Sequence, residues 1–82
     1  MSKISERELF QVISKALDID SSLVNIESSI DSIDEWDSLG SLSILTSLDE
    51  LSNGETSNID DISKATSCKE LIKILRENNL YD

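Results

Sequence analysis

The 82-residue sequence contains no histidine and no proline, and it has one cysteine and two glycines. Without histidine, the chain lacks the usual general base of nucleophilic catalysis and the imidazole ligand of zinc sites. The single cysteine, Cys68, can form neither an internal disulfide nor a thiolate cage for a metal. We therefore expect a protein that is not an enzyme and that has no catalytic residues and no metal site of its own.

Long apolar runs are also missing, because no stretch approaches the roughly 20 residues that a bilayer span requires. The apolar segment of a signal peptide is absent from the first residues, MSKISERELF, so we expect a cytoplasmic protein.

Cations are scarce as well: 7 Lys and Arg stand against 17 Asp and Glu, which gives a formal net charge of -10. This charge disfavours nucleic acid and favours protein partners with basic surfaces.

Length and composition predict one small folded domain that spans residues 1–82. Hydrophobic residues make up 38% of the chain and charged residues 29%, as in ordinary globular proteins. A domain of this size has little room for an enclosed active site. We expect it to be a monomer.

Helical periodicity is clearest at the two ends of the chain. Ser5 with Glu8, and Ser67 with Glu70, form the pattern of a capping box, and apolar residues follow each pair at helical spacing. The last helix should fray near Asn78. The apolar positions are Leu9, Val12, Ile13, Ala16 and Leu17 in the first helix and Cys68, Leu71, Ile72 and Leu75 in the last.

The middle of the chain predicts two further helices after a long loop, residues 18–37, with a helical turn near 21–24. Asp37 can cap the second helix, which should end at Ser52–Gly54, and Asn58 can cap a short third helix. Nothing alternates with the period of a strand. The fold class is therefore expected to be all-α, a four-helix bundle with a long first connection and a short third helix. Expected core residues of the second helix include Leu39, Leu42, Leu45 and Leu48.

The most informative segment joins the acidic loop to the second helix and reads DEWDSLGSLSIL, from Asp34 to Leu45. Ser38 would begin that helix, where unpaired backbone N–H groups and the positive end of the helix dipole favour a bound negative charge. The plainer interpretation is that Asp37 and Ser38 only cap the helix, as these residue types often do.

WDSLG followed by spaced aliphatic residues resembles the prosthetic-group site of the acyl carrier protein family, and the resemblance extends more loosely from the first helix to Leu75. It implies that Ser38 is esterified by 4'-phosphopantetheine from coenzyme A. It also implies that Asp37 helps to position the Mg2+ used during that transfer. The arm would carry acyl groups as thioesters in fatty acid or polyketide biosynthesis.

The resemblance further implies two kinds of partner: a phosphopantetheinyl transferase, and acyl-loading and acyl-transfer enzymes with basic docking surfaces. This sequence departs from the family in two respects. Its second helix has no charge before Asp49 and Glu50, and the end of that helix, Leu51–Gly54, lacks the aromatic residue that the family tends to carry there. We expect partner contacts from residues around Ser38 and at the far end of the helix. They are Asp34, Glu35, Trp36, Leu39, Asp49 and Glu50.

Several alternatives remain open from the sequence. Trp36 can pack against the bundle, which we favour, or contact a partner or the arm. Cys68 is expected to be a small core residue rather than a reactive thiol. The acidic residues 31–37 lack the spacing of an EF-hand loop and are best interpreted as solvated. The cargo could instead be aminoacyl, as in a peptidyl or D-alanyl carrier protein, or the chain could be an unmodified helical interaction module.

Overall fold

The structure is a computed structural model that describes residues 3–81, apart from the side chains of Ser57 and Asp60. Within this range it contains three α-helices: α1 (Glu6–Leu17), α2 (Ser38–Leu51) and α3 (Cys68–Glu77). The same residues form no strand, and their only bridges are isolated pairs between Ile4 and Tyr81 and between Ser29 and Ser67. The all-α prediction is confirmed at this level.

Three short 3₁₀ segments lie in the connections: η1 (Ser21–Leu23), η2 (Glu55–Asn58) and η3 (Asp60–Lys64). The first of these falls where the sequence predicted a helical turn, and Asp20 caps it by accepting a hydrogen bond from the Ser22 backbone N–H at 3.0 Å. Helix α1 packs against α2, and η3 lies against both α2 and α3.

The capping box of α1 forms as predicted. The Ser5 hydroxyl accepts a hydrogen bond from the Glu8 backbone N–H at 3.2 Å, and the Glu8 carboxylate accepts one from the Ser5 N–H at 3.0 Å. These bonds satisfy two donors that the first turn of a helix would otherwise leave unpaired. They explain why the helix begins where the sequence pattern places it.

Only half of the predicted capping box forms at α3. The Ser67 hydroxyl accepts a hydrogen bond from the Glu70 N–H at 3.1 Å. The Glu70 carboxylate turns instead to Thr66, whose N–H and hydroxyl both donate to it at 2.8 Å. Thr66 offers two donors where the Ser67 backbone offers one, and these bonds lower the pKa of Glu70.

The count of four helices is not confirmed, because two 3₁₀ segments, η2 and η3, stand where the short third helix was predicted. Asn58 does not cap it but ends η2. Ile59 follows with an extended backbone, φ −104° and ψ 106°, which interrupts the helical run. Segments of 4 and 5 residues are too short to repay the cost of α-helix nucleation. The apolar positions Ile62 and Ala65 are nonetheless buried as expected.

The core draws on all three helices and on the long loop. Buried positions of α2 recur every four residues, at Gly40, Ile44 and Leu48. The expectation that Leu39 and Leu42 belong to the core is wrong, because they lie off this stripe and are 76% and 60% exposed. The largest fully buried side chains are Leu9, Ile13, Trp36, Ile44, Leu48, Thr56, Cys68, Leu71 and Leu75.

The long loop is held to the bundle by Val24, Ile33 and Trp36, all of which are buried. Its backbone also pairs with the chain ahead of α3, since the Ile30 N–H donates to the Thr66 carbonyl at 2.8 Å. The loop is therefore an ordered part of the fold. Among residues 3–81, no helix has both the length and the apolar character needed to cross a membrane.

Candidate functional site

Ser38 is the first residue of α2, and its side chain is exposed. Asp37 precedes it in an extended conformation and caps the helix, as predicted: its carboxylate accepts a hydrogen bond from the Gly40 N–H at 2.9 Å. The Asp37 carbonyl also accepts the Ser41 N–H at 2.8 Å. The serine hydroxyl thus stands in solvent at the positive end of the helix dipole.

Gly40 allows the acidic loop to lie directly on the first turn of α2. A Cβ atom at this position would overlap the Glu35 carbonyl oxygen and would lie 2.7 Å from Leu17 Cδ2. Only glycine accepts this approach without displacing backbone. This role was not predicted from the sequence, although a glycine inside a helix, which costs about 1 kcal/mol relative to alanine, is a signal of it.

Trp36 lies beneath the site. Its side chain is 1% exposed, and the indole Nε1–H donates a hydrogen bond to the Ser41 hydroxyl at 3.1 Å. The sequence left open whether Trp36 packs against the bundle or contacts a partner, and its burial agrees with packing. The ring has no surface to offer a partner, so we assign Trp36 to the support of the loop and the first turns of α2.

The remaining predicted partner-binding residues fall into two groups. Asp34, Glu35 and Leu39 are exposed around Ser38. Asp49 and Glu50 lie about three turns further along α2, where Asp49 is half-buried and Glu50 is exposed. The Asp49 carboxylate accepts a hydrogen bond from the Thr56 hydroxyl at 3.5 Å. The structure therefore brings only the first group close to the serine.

Charge is distributed unevenly around the site. Residues 16–63 hold 12 of the 17 acidic residues and none of the 7 Lys and Arg residues. The acidic side chains do not converge, since the described part of the chain has no group of three or more Asp, Glu, His or Cys that could hold a metal ion. The acidic residues thus give the middle of the chain a strong negative charge with no Lys or Arg within it.

An apolar patch lies beside the serine. Leu39 and Leu42 are both largely exposed, and they occupy the first and fourth positions after Ser38 on α2. Large aliphatic side chains together at the surface often mark a contact site. The sequence pattern did not reveal this patch, because Leu39 and Leu42 fit a helix buried around much of its circumference.

Cys68 takes no part in the site. Its thiol is fully buried at the start of α3. Burial raises its pKa to about 11, and the negative charge of Glu6 adds to the shift. A thiol that stays protonated and inaccessible is a core side chain rather than a nucleophile.

Comparisons with protein-family models, with curated proteins and with solved structures found no match for this chain.

Proposed function

We propose that this chain is an acyl carrier protein whose Ser38 holds a 4'-phosphopantetheine arm. The observation that carries the proposal is an exposed serine hydroxyl at the first position of α2, within the WDSLG sequence. The arm supplies a terminal thiol on which acyl groups are held as thioesters. The chain would work in the cytoplasm as a carrier for biosynthetic enzymes and would catalyse no reaction itself.

The residues around Ser38 fit such a group. The side chain is exposed, so a substituent on its oxygen meets no covering element in the described chain. The helix N-terminus favours the negative charge of a phosphodiester. The Asp37 carboxylate accepts a hydrogen bond from the Gly40 N–H at 2.9 Å. This bond partly offsets the negative charge that the carboxylate would place beside the phosphodiester.

In the loading reaction, the Ser38 oxygen forms a bond to the phosphorus atom that bears the pantetheine. The bond from that phosphorus to adenosine 3',5'-bisphosphate breaks, and the hydroxyl proton passes to a base on the transferring enzyme. Asp37 would help to hold the Mg2+ that accompanies coenzyme A. The chain contributes the nucleophile, its position and the field of the helix.

Docking would combine an apolar centre with an acidic surround. Leu39 and Leu42 provide the centre, and Asp34, Glu35 and Asp37 lie on the loop beside it. Partner enzymes should present an apolar pocket within a basic surface. Electrostatic attraction of this kind speeds encounter and weakens with salt, so association with a cognate enzyme should slow as ionic strength rises.

The test is an intact-mass measurement after incubation with coenzyme A, Mg2+ and a broad-specificity phosphopantetheinyl transferase. We expect the wild-type chain to gain the mass of one phosphopantetheine group and Ser38→Ala to gain nothing. Ser43→Ala, which removes another exposed serine of α2, should gain as much as wild type. An unmodified wild-type chain would contradict the proposal and favour the helical interaction module.

A further inference from the structure

Ser41 links the acidic loop to the second helix. Its hydroxyl accepts a hydrogen bond from the indole Nε1–H of Trp36 at 3.1 Å. Trp36 belongs to the loop and Ser41 to α2, so the bond joins the two elements from side chain to side chain. Ser41 follows Ser38 by three residues, which makes the two residues neighbours on the helix surface.

This hydrogen bond matters because the indole ring is inside the fold. The Trp36 side chain is 1% exposed, and Ser41 is half-buried. A buried N–H group that loses its acceptor pays the cost of its lost hydration. Without the Ser41 hydroxyl, the ring would have to turn or move toward water to pair its N–H.

A movement of the ring would carry the loop with it. The Trp36 backbone N–H donates to the Ile33 carbonyl at 3.0 Å, which ties the residue into a turn of the loop. The Glu35 carbonyl lies so close to Gly40 that no Cβ atom fits between them. Gly40 permits this approach but does not hold it. The bond to Ser41 has a direction and an acceptor, so it holds the loop in place.

The proposed docking surface is divided between the two linked elements. Asp34 and Glu35 lie on the loop, and Ser38 and Leu39 lie on α2. A partner that contacts both parts binds more tightly when they already have the bound arrangement, because binding does not then have to order them. If that arrangement is populated for only part of the time, the apparent affinity falls by the same fraction.

We propose that Ser41 is a positioning residue for the loading of Ser38. By accepting the indole hydrogen bond, it keeps the loop and the first turn of α2 in the arrangement that the transferase binds. The inference rests on the proposed function, since it concerns that reaction. Ser41 acts through Trp36 and supplies no group to the transfer itself. Its loss should therefore weaken binding of the chain and leave the rate of transfer to the bound chain unchanged.

The test measures initial loading rates against the concentration of the chain, with saturating coenzyme A, Mg2+ and a broad-specificity phosphopantetheinyl transferase. Ser41→Ala should raise the KM for the chain by about fivefold and change kcat by less than about twofold. Ser43→Ala makes the same substitution at an exposed position of α2, and its KM should equal that of wild type. Ser41→Thr keeps a hydroxyl and should restore most of the lost affinity.

Two further measurements separate positioning from a general loss of stability. Ile72→Val, in the core on α3, should lower the melting temperature about as much as Ser41→Ala but leave KM unchanged, because both variants stay folded at the assay temperature. Trp36 is the only tryptophan, so its indole N–H gives a single NMR signal. In Ser41→Ala, without transferase, this signal should shift, and the Trp36 backbone amide should exchange faster.

An unchanged KM for Ser41→Ala would overturn the inference, as would a rise in KM that Ser43→Ala or Ile72→Val shares. A loss confined to kcat would also overturn it, since the residue would then act on the transfer step. A wild-type chain that is not loaded would instead overturn the proposed function. In that case the amide exchange of Trp36 still decides whether Ser41 holds the loop.

Discussion

Helices α2 and α3 differ in what they leave exposed. Helix α3 separates its faces: it buries Cys68, Leu71 and Leu75, and Lys69 and Lys73 are exposed. Helix α2 buries a narrow stripe and leaves large leucines in water, with no charge until its last turn. The sequence of α3 is accounted for by packing and solubility. The exposed leucines of α2 contribute little to packing, which is what a docking surface beside Ser38 would require.

The contrast between buried and exposed leucines can be tested within α2 itself, and it predicts the largest effect. Leu48 is fully buried and Leu42 is 60% exposed. Leu48→Ala should lower the free energy of unfolding by about 2–5 kcal/mol, because it leaves a cavity. Leu42→Ala, the matched control, should change it by no more than about 0.5 kcal/mol. Urea unfolding measures both, and equal losses would remove the distinction between core and docking surface.

The buried thiol at the start of α3 predicts a loss of stability at high pH. Burial raises the pKa of Cys68 from its usual 9.0 to about 11, so the unfolded chain deprotonates first as pH rises. The stabilisation is complete below pH 9.0 and is lost as pH passes about 11. At about 1.36 kcal/mol per pH unit, the loss would be about 2–3 kcal/mol. Urea midpoints across this range should fall more steeply for wild type than for Cys68→Ala, and parallel curves would show that the thiol is not buried.

Gly40 tests whether the acidic loop depends on close approach to α2. Helix propensity alone would favour Gly40→Ala by about 1 kcal/mol. The overlap with the Glu35 carbonyl and Leu17 should outweigh this gain and destabilise the fold by about 1–3 kcal/mol. Ser43→Ala, at an exposed position of the same helix, should be neutral or slightly stabilising. A Gly40→Ala variant that is more stable than wild type would show that the loop moves away from α2 at little cost.

Asp37 has two roles that substitution can separate. Asp37→Ala should cost about 1 kcal/mol in thermal or urea unfolding, because it removes the cap on Gly40. Asp37→Asn should keep the cap and most of the stability. If the carboxylate also helps to hold Mg2+, both variants should be loaded more slowly by the transferase. Normal loading of a folded Asp37→Asn chain would limit this residue to capping.

The smallest effect on stability should come from Leu39. Leu39→Ser removes an exposed side chain and should change the free energy of unfolding by no more than about 0.5 kcal/mol. If Leu39 lies at the centre of the docking surface, the Kd for a cognate loading enzyme should rise by about fivefold or more. An unchanged Kd measured by calorimetry would place the contact elsewhere.

Local signals explain what the sequence predicted correctly. Ser5, Asp37 and Ser67 cap helices through groups at most three residues away, so their roles are readable from spacing. Burial of Trp36 and Cys68 follows from their residue types. The fold class and the position of Ser38 at a helix start rested on these signals.

The features that the sequence did not reveal depend on contacts across the fold. The break at Ile59 replaces a helix with 3₁₀ turns, and no stop signal in the neighbouring sequence predicts it. In the sequence, Leu39 and Leu42 resemble core residues. Only the packing of α2 in the fold shows that they lie on its exposed face. The close approach at Gly40 joins three separate parts of the chain, and the glycine itself is the one local signal of it.

The central claim, that Ser38 is the attachment point, is tested most directly by locating the modification among the serines. The chain has 16 of them, and Ser41 and Ser43 lie within two turns of Ser38 on the same helix. After loading with coenzyme A, fragmentation of the tryptic peptide should place the whole phosphopantetheine mass on Ser38. A modification on Ser41, Ser43 or any other residue, or an unmodified peptide, would contradict the account.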